Sequence, residues 1–322
     1  MKARAQERLG KGRRSRMAPS ETLRGWRDAL QRVYESIGKH RIVVIAAGIT
    51  FYSLLAIFPA LAALVAIYGL FADPTSMTAH LDSVSDILPA GAIEIIRDQM
   101  NRLAAQGSGT LSAAFVVGLA VSLWSANASV KSIIDALNLV YGETEKRGFV
   151  RLNLVSLAFT TAGLLFVLLA IAAIVVLPTV LGLLGLAEET ALLLKVSRWP
   201  ALLVVISLAL AFLYRYGPSR ERPKWRWISV GSAFATVGWL AVSLLFSWYA
   251  ENFGTYNKTY GTLGAVVGFM VWMWLSTIVV LVGAELDAEM EHQTARDTTS
   301  GAAEPPGARG AFVAGTTGAA KD

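Results

Sequence analysis

The polar side chains best placed for ion or proton chemistry follow the second of several apolar stretches. Asn127, Lys131, Asp135 and Asn138 recur at spacings of three and four residues, which puts them on one face of a helix. If that helix packs among others, the four side chains form a buried polar track. If it lies at a membrane surface, they form a solvated stripe. The spacing leaves both interpretations open.

A carboxylate, Glu285, closes the last apolar stretch in the run Gly283-Ala284-Glu285-Leu286. A carboxylate that faces the interior of a helix bundle can bind a cation or a proton. The alternative is an acid at a helix end that contacts lipid headgroups. Glu285 is therefore a candidate residue of an ion pathway.

Polar groups also precede a proline in the first apolar stretch. Pro59 has no N–H and cannot donate to the carbonyl of Leu55, so a helix is expected to kink there. Tyr52 and Ser53 lie just before the kink, where polar groups can line a substrate cavity. The alternative is that they bridge two helices, through hydrogen bonds worth on the order of 0.6–2 kcal/mol in lipid.

A further cluster lies between the last two apolar stretches and contains Asn252, Tyr256, Asn257 and Tyr260, with Lys258 among them. Amide, phenol and amine groups can together hold a lipid headgroup or a sugar. The alternative is an aromatic belt at the membrane–water interface beside an ordinary turn.

The chain has few of the residues that bind metals or carry out thiol chemistry. It has no cysteine and three histidines, His40, His80 and His292, and none of them lies in an apolar stretch. Hydrolysis of a phosphodiester needs a metal-binding cluster or a histidine acid–base pair, and no histidine lies near the carboxylates Asp135 and Glu143. We therefore expect no metal, no other cofactor and no enzymatic activity.

The elements that position these residues are apolar segments in a chain of 322 residues that is 54% hydrophobic and 16% charged. Soluble chains carry about 25% charged residues, and a helix needs about 20 residues to cross the hydrocarbon of a bilayer. The sequence predicts an all-α polytopic membrane protein, a six-transmembrane-helix bundle with short amphipathic helices on both sides. The predicted spans are 42–70, 109–126, 152–177, 200–216, 227–250 and 262–284.

The second and fourth predicted spans are short, and both are expected to continue into the residues that follow them. Residues 127–141 carry an apolar stripe that extends the second span as a helix, with a turn at Gly142. Residues 77–103 carry two such stripes, which predict two short helices on the outer surface.

The basic residues predict the orientation. Of 29 Lys and Arg residues, 24 lie on the side that holds both termini and 5 lie on the other. Positive charge is retained in the cytoplasm, so both termini are expected there. The 12 basic residues before the first span are expected to contact anionic lipid headgroups. No specific nucleic-acid partner is expected.

Composition divides the chain into four parts. Residues 1–20 are basic and polar and are expected to be disordered. Residues 21–41 have the pattern of an amphipathic helix at headgroup level, and residues 42–291 form the six-helix membrane domain. Residues 292–322 are rich in Ala, Gly, Thr and Pro, which favours disorder.

Three stretches, in the same order, carry a resemblance that extends over about residues 25–292. They are AAGITFYSLLAIFPALAAL (46–64), WSANASVKSIIDALNLVYGETEKRGFVR (124–151) and YNKTYGTLGAVVGFMVWMWLSTIVVLVGAELDAEM (256–290). They resemble the YihY/BrkB family of bacterial inner-membrane proteins. The resemblance implies a six-helix protein in a bacterial plasma membrane whose biochemical activity is not settled. Members were once labelled ribonuclease BN, a label regarded as an error, and others were linked to serum resistance or to transport.

These observations favour a transporter or permease-like factor for an ion or an amphipathic envelope molecule. The alternative is a non-transporting scaffold or assembly factor that docks partners through its basic cytoplasmic face. A transporter needs polar groups that converge inside the membrane, whereas a scaffold needs only satisfied helix contacts. A homo-oligomer is compatible with either.

Overall fold

The computed structural model describes residues 23–71, 113–183, 188–221, 223–225, 229–252, 262–292, 299 and 310–316. The elements in these residues are α-helices, with one isolated β-bridge between Pro223 and Thr299. The predicted all-α class is therefore confirmed for this part of the chain. The helices are α1 (Leu23–Lys39), α2 (Ile42–Phe71), α3 (Ala113–Val140), α4 (Phe149–Leu183), α5 (Glu188–Tyr216), α6 (Ser229–Asn252), α7 (Thr262–His292) and α8 (Phe312–Gly315).

Several of these helices are apolar enough to cross a membrane. Among the described side chains, three segments meet that criterion by length and composition: Phe149–Phe166 of α4, Val230–Tyr249 of α6 and Val266–His292 of α7. A fourth is added if Trp26–Lys39 and Ile42–Ala56, which meet at 61°, count as one bent span. The number of six spans stays a prediction.

The amphipathic pattern of residues 21–41 forms α1, and part of its apolar face packs within the protein, while Leu30 is 51% exposed. Val33 packs in a small cluster with Leu286 and Met290 of α7. At the polar edge of this contact, Arg32 Nε donates to Glu289 Oε2 at 2.7 Å. The bend after α1 is made at Arg41, whose φ of 52° breaks the helical path before α2.

The predicted extension of the second span is confirmed, because α3 runs on from the apolar stretch to Val140. Beyond the helix, the chain turns at Gly142, which has a φ of 65°. The N–H of Glu143 donates to the carbonyl of Asn138 at 2.7 Å, the bond that closes a glycine C-cap.

The fourth span extends in the opposite direction from the one predicted. α5 ends at Tyr216, as the predicted span does, but it begins at Glu188 and contains Pro200 in its interior. The prediction was wrong because proline is common at helix starts. A membrane helix tolerates an internal proline when neighbouring groups satisfy the freed carbonyl. At the other end Gly217 and Pro218 stop the helix.

Small residues let α6 and α7 approach closely. A Cβ placed on Gly283 would lie 2.7 Å from the Cβ of Ala235 and 2.9 Å from the hydroxyl of Tyr214, so no larger residue fits there. The surrounding core includes Leu281 and Ala284. Such close crossings are typical of membrane helices, which associate by packing rather than by the hydrophobic effect.

Part of the C-terminal tail is folded against the helices. Composition favours disorder over 292–322, yet α8 lies in this segment, with Val313 5% exposed and Ala314 2% exposed. The N–H of Phe312 donates to Glu143 Oε1 at 2.7 Å. The predicted tail 1–20 and the two predicted outer helices lie outside the described residues.

Contacts among the described residues gather the starts of α4 and α6 and the ends of α3, α5 and α7 at one end of the bundle. Arg147, before α4, donates to the carbonyl of Gly217, after α5. Gly231 in α6 contacts Asp287 in α7. This end carries most of the charged side chains discussed below.

Candidate functional site

Glu285 faces the interior of the bundle, one of the two placements that the sequence left open. Its side chain is 1% exposed, and its Oε1 lies 2.5 Å from His40 Nδ1. His40 lies between α1 and α2, so this contact ties the start of α2 to the end of α7. No local pattern indicates this partner, because the two residues are 245 positions apart.

Asp287, two residues further along α7, contacts the N-terminal end of α6. Its Oδ1 accepts a 2.7 Å hydrogen bond from the backbone N–H of Gly231, in the first turn of that helix. Backbone N–H groups there have no helical partner, and the helix dipole favours a negative charge. The other oxygen, Oδ2, is buried without a hydrogen-bond partner among the described residues.

Glu291 is paired with Arg220, from the connection after α5. The two charges are 2.7 Å apart, and their side chains are 1% and 0% exposed. The Arg220 guanidinium also lies 3.9 Å from the ring centre of Tyr141, a cation–π contact. Burial, the largest single influence, disfavours the charged guanidinium, but the charge and hydrogen bond of Glu291 together with Tyr141 and Asp287 outweigh it, and the pKa of Arg220 is raised. Arg220 therefore keeps its charge inside the protein.

The predicted polar track does not form one line. Lys131 Nζ donates to Asn153 Oδ1 at 2.6 Å and Asn127 Nδ2 donates to the same oxygen at 3.4 Å, so these two side chains are joined through α4. Asp135 is exposed and does not join them; it lines a pocket of about 260 Å³. Asn138 is buried and connects two loops, as described below.

The polar residues of α2 are divided between packing and exposure. Ser53 Oγ lies 2.6 Å from Ser129 Oγ of α3, the helix-bridging arrangement that the sequence offered as an alternative. Tyr52 is 46% exposed and lines the 260 Å³ pocket with Asp135. Pro59 lies within α2, but its side chain is outside the described residues, and the kink stays a prediction.

The predicted outer-end cluster lies almost wholly outside the described residues. Asn252 is the last residue of α6. Tyr256, Asn257 and Tyr260 belong to the stretch between α6 and α7 that the structure does not describe. Their proposed role in holding a headgroup or a sugar stays a prediction.

A short loop between α3 and α4 is locked to the loop after α5. Asn138 Nδ2 donates to Glu145 Oε2 at 3.1 Å, and the N–H of Ser219 donates to Asn138 Oδ1 at 2.7 Å. Arg147 bonds both Glu145 oxygens at 2.7–2.8 Å. Burial would raise the pKa of Glu145, but the bonds from Arg147 and Asn138 lower it to about 2. Both loops are therefore fixed at the entrance to a cavity.

That cavity, called the α3–α5 cavity here, has a volume of about 940 Å³ and lies among α3, α4 and α5. Its inner wall is apolar. Residues from one face of α4 and from the facing side of α5 form it, namely Val155, Phe159, Ala162, Phe166, Leu210 and Leu213. Small Gly163 also lines it, and a Cβ there would meet nothing within 4 Å. The wall thus presents a continuous apolar surface.

The rim of the same cavity is basic. Five of its lining residues are cationic, namely Lys146, Arg147, Arg151, Arg215 and Arg220, and among the described lining residues Glu221 is the acidic one. Three of the cations have carboxylate partners: Lys146 pairs with Glu143, Arg147 with Glu145 and Arg220 with Glu291. The cavity thus joins an apolar wall to a cationic rim.

Sequence reasoning missed most of this site. Arg151, Arg215 and Arg220 counted only among the 24 basic residues on the side of both termini. Their spacing carries no signal, because they come to line one cavity only through the packing of α4 and α5. One sign was present: Arg215 stands between Tyr214 and Tyr216 at a helix end, where an isolated arginine needs a partner.

The described part of the chain contains no group of three His, Asp or Glu side chains arranged to hold a metal ion. The α7 carboxylates instead take different partners: His40 for Glu285, the Gly231 N–H for Asp287 and Arg220 for Glu291.

Comparison with known proteins identifies relatives of the whole membrane region. The family model described as virulence factor BrkB matches residues 33–307. The "Putative ribonuclease-like protein YfkH" of Bacillus subtilis is 28% identical over 248 residues, which cover 76% of this chain and 88% of that protein. No solved structure matches the chain.

Relatives called UPF0761 membrane proteins are longer than this chain. One from Neisseria meningitidis serogroup B is 30% identical over 275 residues, 81% of this chain and 62% of that protein. Another, from Methylibium petroleiphilum, is 26% identical over 288 residues, 87% of this chain and 67% of that protein. The chain thus spans less than two thirds of the Neisseria relative. It belongs to the BrkB family of membrane proteins, the family that its three sequence stretches resemble.

Proposed function

We propose that this protein is a permease-like factor for an amphipathic envelope molecule, in a bacterial inner membrane. The observation that carries the proposal is the α3–α5 cavity, in which an apolar wall of α4 and α5 meets a cationic rim. Its volume of about 940 Å³ lies near the upper end of the range for ligand pockets, roughly 300–1,000 Å³. An amphiphile can place its chain on the wall and its polar group at the rim.

The lengths of the helices support six spans. α2 to α7 have 30, 28, 35, 29, 24 and 31 residues, each more than the roughly 20 needed to cross the hydrocarbon. The gathering of alternate helix ends at one end of the bundle also fits six antiparallel spans. With the basic excess on that side, both termini are cytoplasmic and the rim faces the cytoplasmic leaflet.

An ion pathway finds less support than an amphiphile site. Lys131 and Glu285 do not pair with each other; their contacts are Asn153 and His40 respectively. The buried carboxylates at the end of α7 have partners within the protein, namely His40, the N–H of Gly231 and Arg220. The amphiphile is therefore the substrate class we retain.

Transport into proteoliposomes tests the proposal. The protein is reconstituted with a fluorescent phospholipid, and dithionite bleaching follows movement between leaflets, with and without an imposed pH or potential difference. Gly163→Trp places a bulky side chain at the cavity wall without a backbone clash, because a Cβ at this position has open space. We expect it to reduce movement to the rate of protein-free vesicles.

Leu157→Trp is the matched control. Leu157 is exposed on another face of α4 and does not line the cavity. It should transport like the wild type. Wild-type protein that moves no amphiphile under any of these conditions would support the scaffold alternative. Gly163→Trp protein with undiminished transport would remove the cavity from the pathway.

A further inference from the structure

We propose that the rim of the α3–α5 cavity, through Arg151 and Arg215, binds the phosphate of an anionic phospholipid. The inference rests on the proposed function and deepens it, because it names the chemical class of the amphiphile. It also assigns a role to the two rim cations that form no ion pair among the described residues.

The first observation is the balance of charge at the rim. Lys146, Arg147 and Arg220 are each neutralised by a carboxylate at 2.7 Å. Among the described residues, neither Arg151 nor Arg215 forms an ion pair, and both line the cavity. Among the described lining residues, two cations without an ion pair therefore face one carboxylate, Glu221, which leaves a net excess of about one positive charge at the rim.

The second observation is an incomplete set of hydrogen bonds on Arg215. Its side chain is 9% exposed, and its Nη1 donates to the carbonyl of Pro223. Its guanidinium is flanked by the rings of Trp225 and Tyr216, 4.7 and 5.6 Å away. Nε is buried with no hydrogen-bond partner among the described residues. A buried guanidinium N–H without an acceptor is costly, so an anionic acceptor that reached Arg215 would be bound favourably.

The chemistry of the acceptor follows from the guanidinium group. Guanidinium groups bind phosphate through paired, charge-assisted N–H···O bonds, with a geometry that a single ammonium does not offer. The indole and phenol rings hold the plane of Arg215, so less side-chain freedom is lost when the anion binds. Arg151 is exposed and lines the same cavity from α4.

The apolar wall distinguishes a lipid from a free anion. Arg151 and Val155 lie one turn apart on α4, and Phe159 and Phe166 continue the same face away from the rim. A phosphate bound at Arg151 therefore places its acyl chains along this face. Inorganic phosphate would leave the wall uncovered, and a zwitterionic lipid would bring its own cation to a cationic rim.

Lipid-dependent thermal stability of the full-length protein in detergent tests the inference. The probes are phosphatidylglycerol, phosphatidylcholine and inorganic phosphate, each titrated against wild type, Arg151→Gln, Arg215→Gln and Arg27→Gln. Arg27 is exposed on α1 and lies outside the cavity, so it controls for general attraction of lipid to a basic surface. Arg151 is exposed, so its variant is expected to fold even if the Arg215 variant does not.

We expect phosphatidylglycerol to stabilise the wild type and Arg27→Gln more than phosphatidylcholine does. The apparent Kd should rise about tenfold or more in Arg151→Gln, the loss expected for a charge-assisted hydrogen bond. Equal stabilisation by the two lipids, equal stabilisation by inorganic phosphate, or an unchanged Kd in Arg151→Gln would each overturn the inference.

The inference and the proposed function fail separately. If Gly163→Trp abolishes transport while both lipids bind equally, the cavity carries an amphiphile but the rim does not select a phosphate. If phosphatidylglycerol binds selectively and no amphiphile moves in vesicles, the lipid is a fixed structural ligand and the proposed function is wrong.

Discussion

Arg220 and Glu291 form an ion pair of 2.7 Å that is almost completely removed from solvent, with side-chain exposures of 0% and 1%. The pair joins the connection after α5 to the last turns of α7. Tyr141, at the end of α3, covers the guanidinium from a third direction. Three segments that are distant in sequence thus depend on one buried contact at the end of the bundle that holds the cavity rim.

Removing one member of this pair is expected to destabilise the protein strongly. Glu291→Gln leaves Arg220 buried without a counter-charge, a change that costs about 3–5 kcal/mol in proteins. The measurement is the free energy of unfolding in detergent for Glu291→Gln, Arg220→Met and the double variant. The double variant should lose less than the sum of the two single losses. A coupling energy below about 0.5 kcal/mol would show that the two side chains act independently.

Glu145 is expected to make the stability depend on pH. Its pKa is lowered from 4.5 to about 2 in the folded protein, so folding favours its charged form. The resulting stabilisation is complete above pH 4.5 and is lost as the pH falls from 4.5 towards 2. Unfolding temperatures recorded over this range should fall more steeply for the wild type than for Glu145→Gln. Parallel curves would mean that the bonds from Arg147 and Asn138 do not hold the carboxylate in its charged form.

Gly142 is expected to tolerate no side chain. Its φ of 65° is left-handed, and a Cβ would lie 2.7 Å from Phe312 Cδ1 of α8. Gly142→Ala should lower the unfolding free energy by about 1–2 kcal/mol from the backbone alone. Gly148→Ala is the matched control, since a Cβ there meets nothing within 4 Å. Adding Phe312→Ala should recover only the steric part of the loss. Equal stability of the two alanine variants would argue against this C-cap.

The topology is expected to follow the distribution of basic residues. Reporter fusions after Asp297 and within 217–224 should report the cytoplasm, and fusions within 72–108 and 252–260 the outside. The reason is the excess of 24 basic residues over 5. Activity assays of paired reporters, one active on each side of the membrane, provide the measurement. A C-terminal reporter found outside would contradict the model of six spans with both termini in the cytoplasm.

The helical class, the extension of α3 and the turn at Gly142 could be predicted because each depends on a local sequence pattern. Apolar length predicts a membrane helix, three- and four-residue spacing predicts its faces, and glycine marks a left-handed cap. The start of α5 was misplaced because Pro200 is a local signal that the surrounding helices override.

The site could be predicted only in part. Glu285 and Asn138 were singled out and are buried, but the partners His40 and Ser219 are distant in sequence. Asp135 was expected beside Lys131 and instead lines another pocket. The basic rim escaped prediction because a single sequence does not show which helices are neighbours. A count of basic residues does not distinguish Arg151 and Arg215 from the other arginines predicted to be cytoplasmic.

Photocrosslinking tests most directly the central claim that the α3–α5 cavity holds an amphiphile. A photoreactive amino acid replaces Phe159, on the cavity wall, or Leu157, exposed on another face of the same helix. After irradiation in native membranes, mass spectrometry identifies the attached lipids. We predict that adducts at 159 are enriched in anionic phospholipids relative to adducts at 157, and that Gly163→Trp removes this enrichment. Adducts of the same composition at both positions would contradict the account, because α4 would then meet only the bulk bilayer.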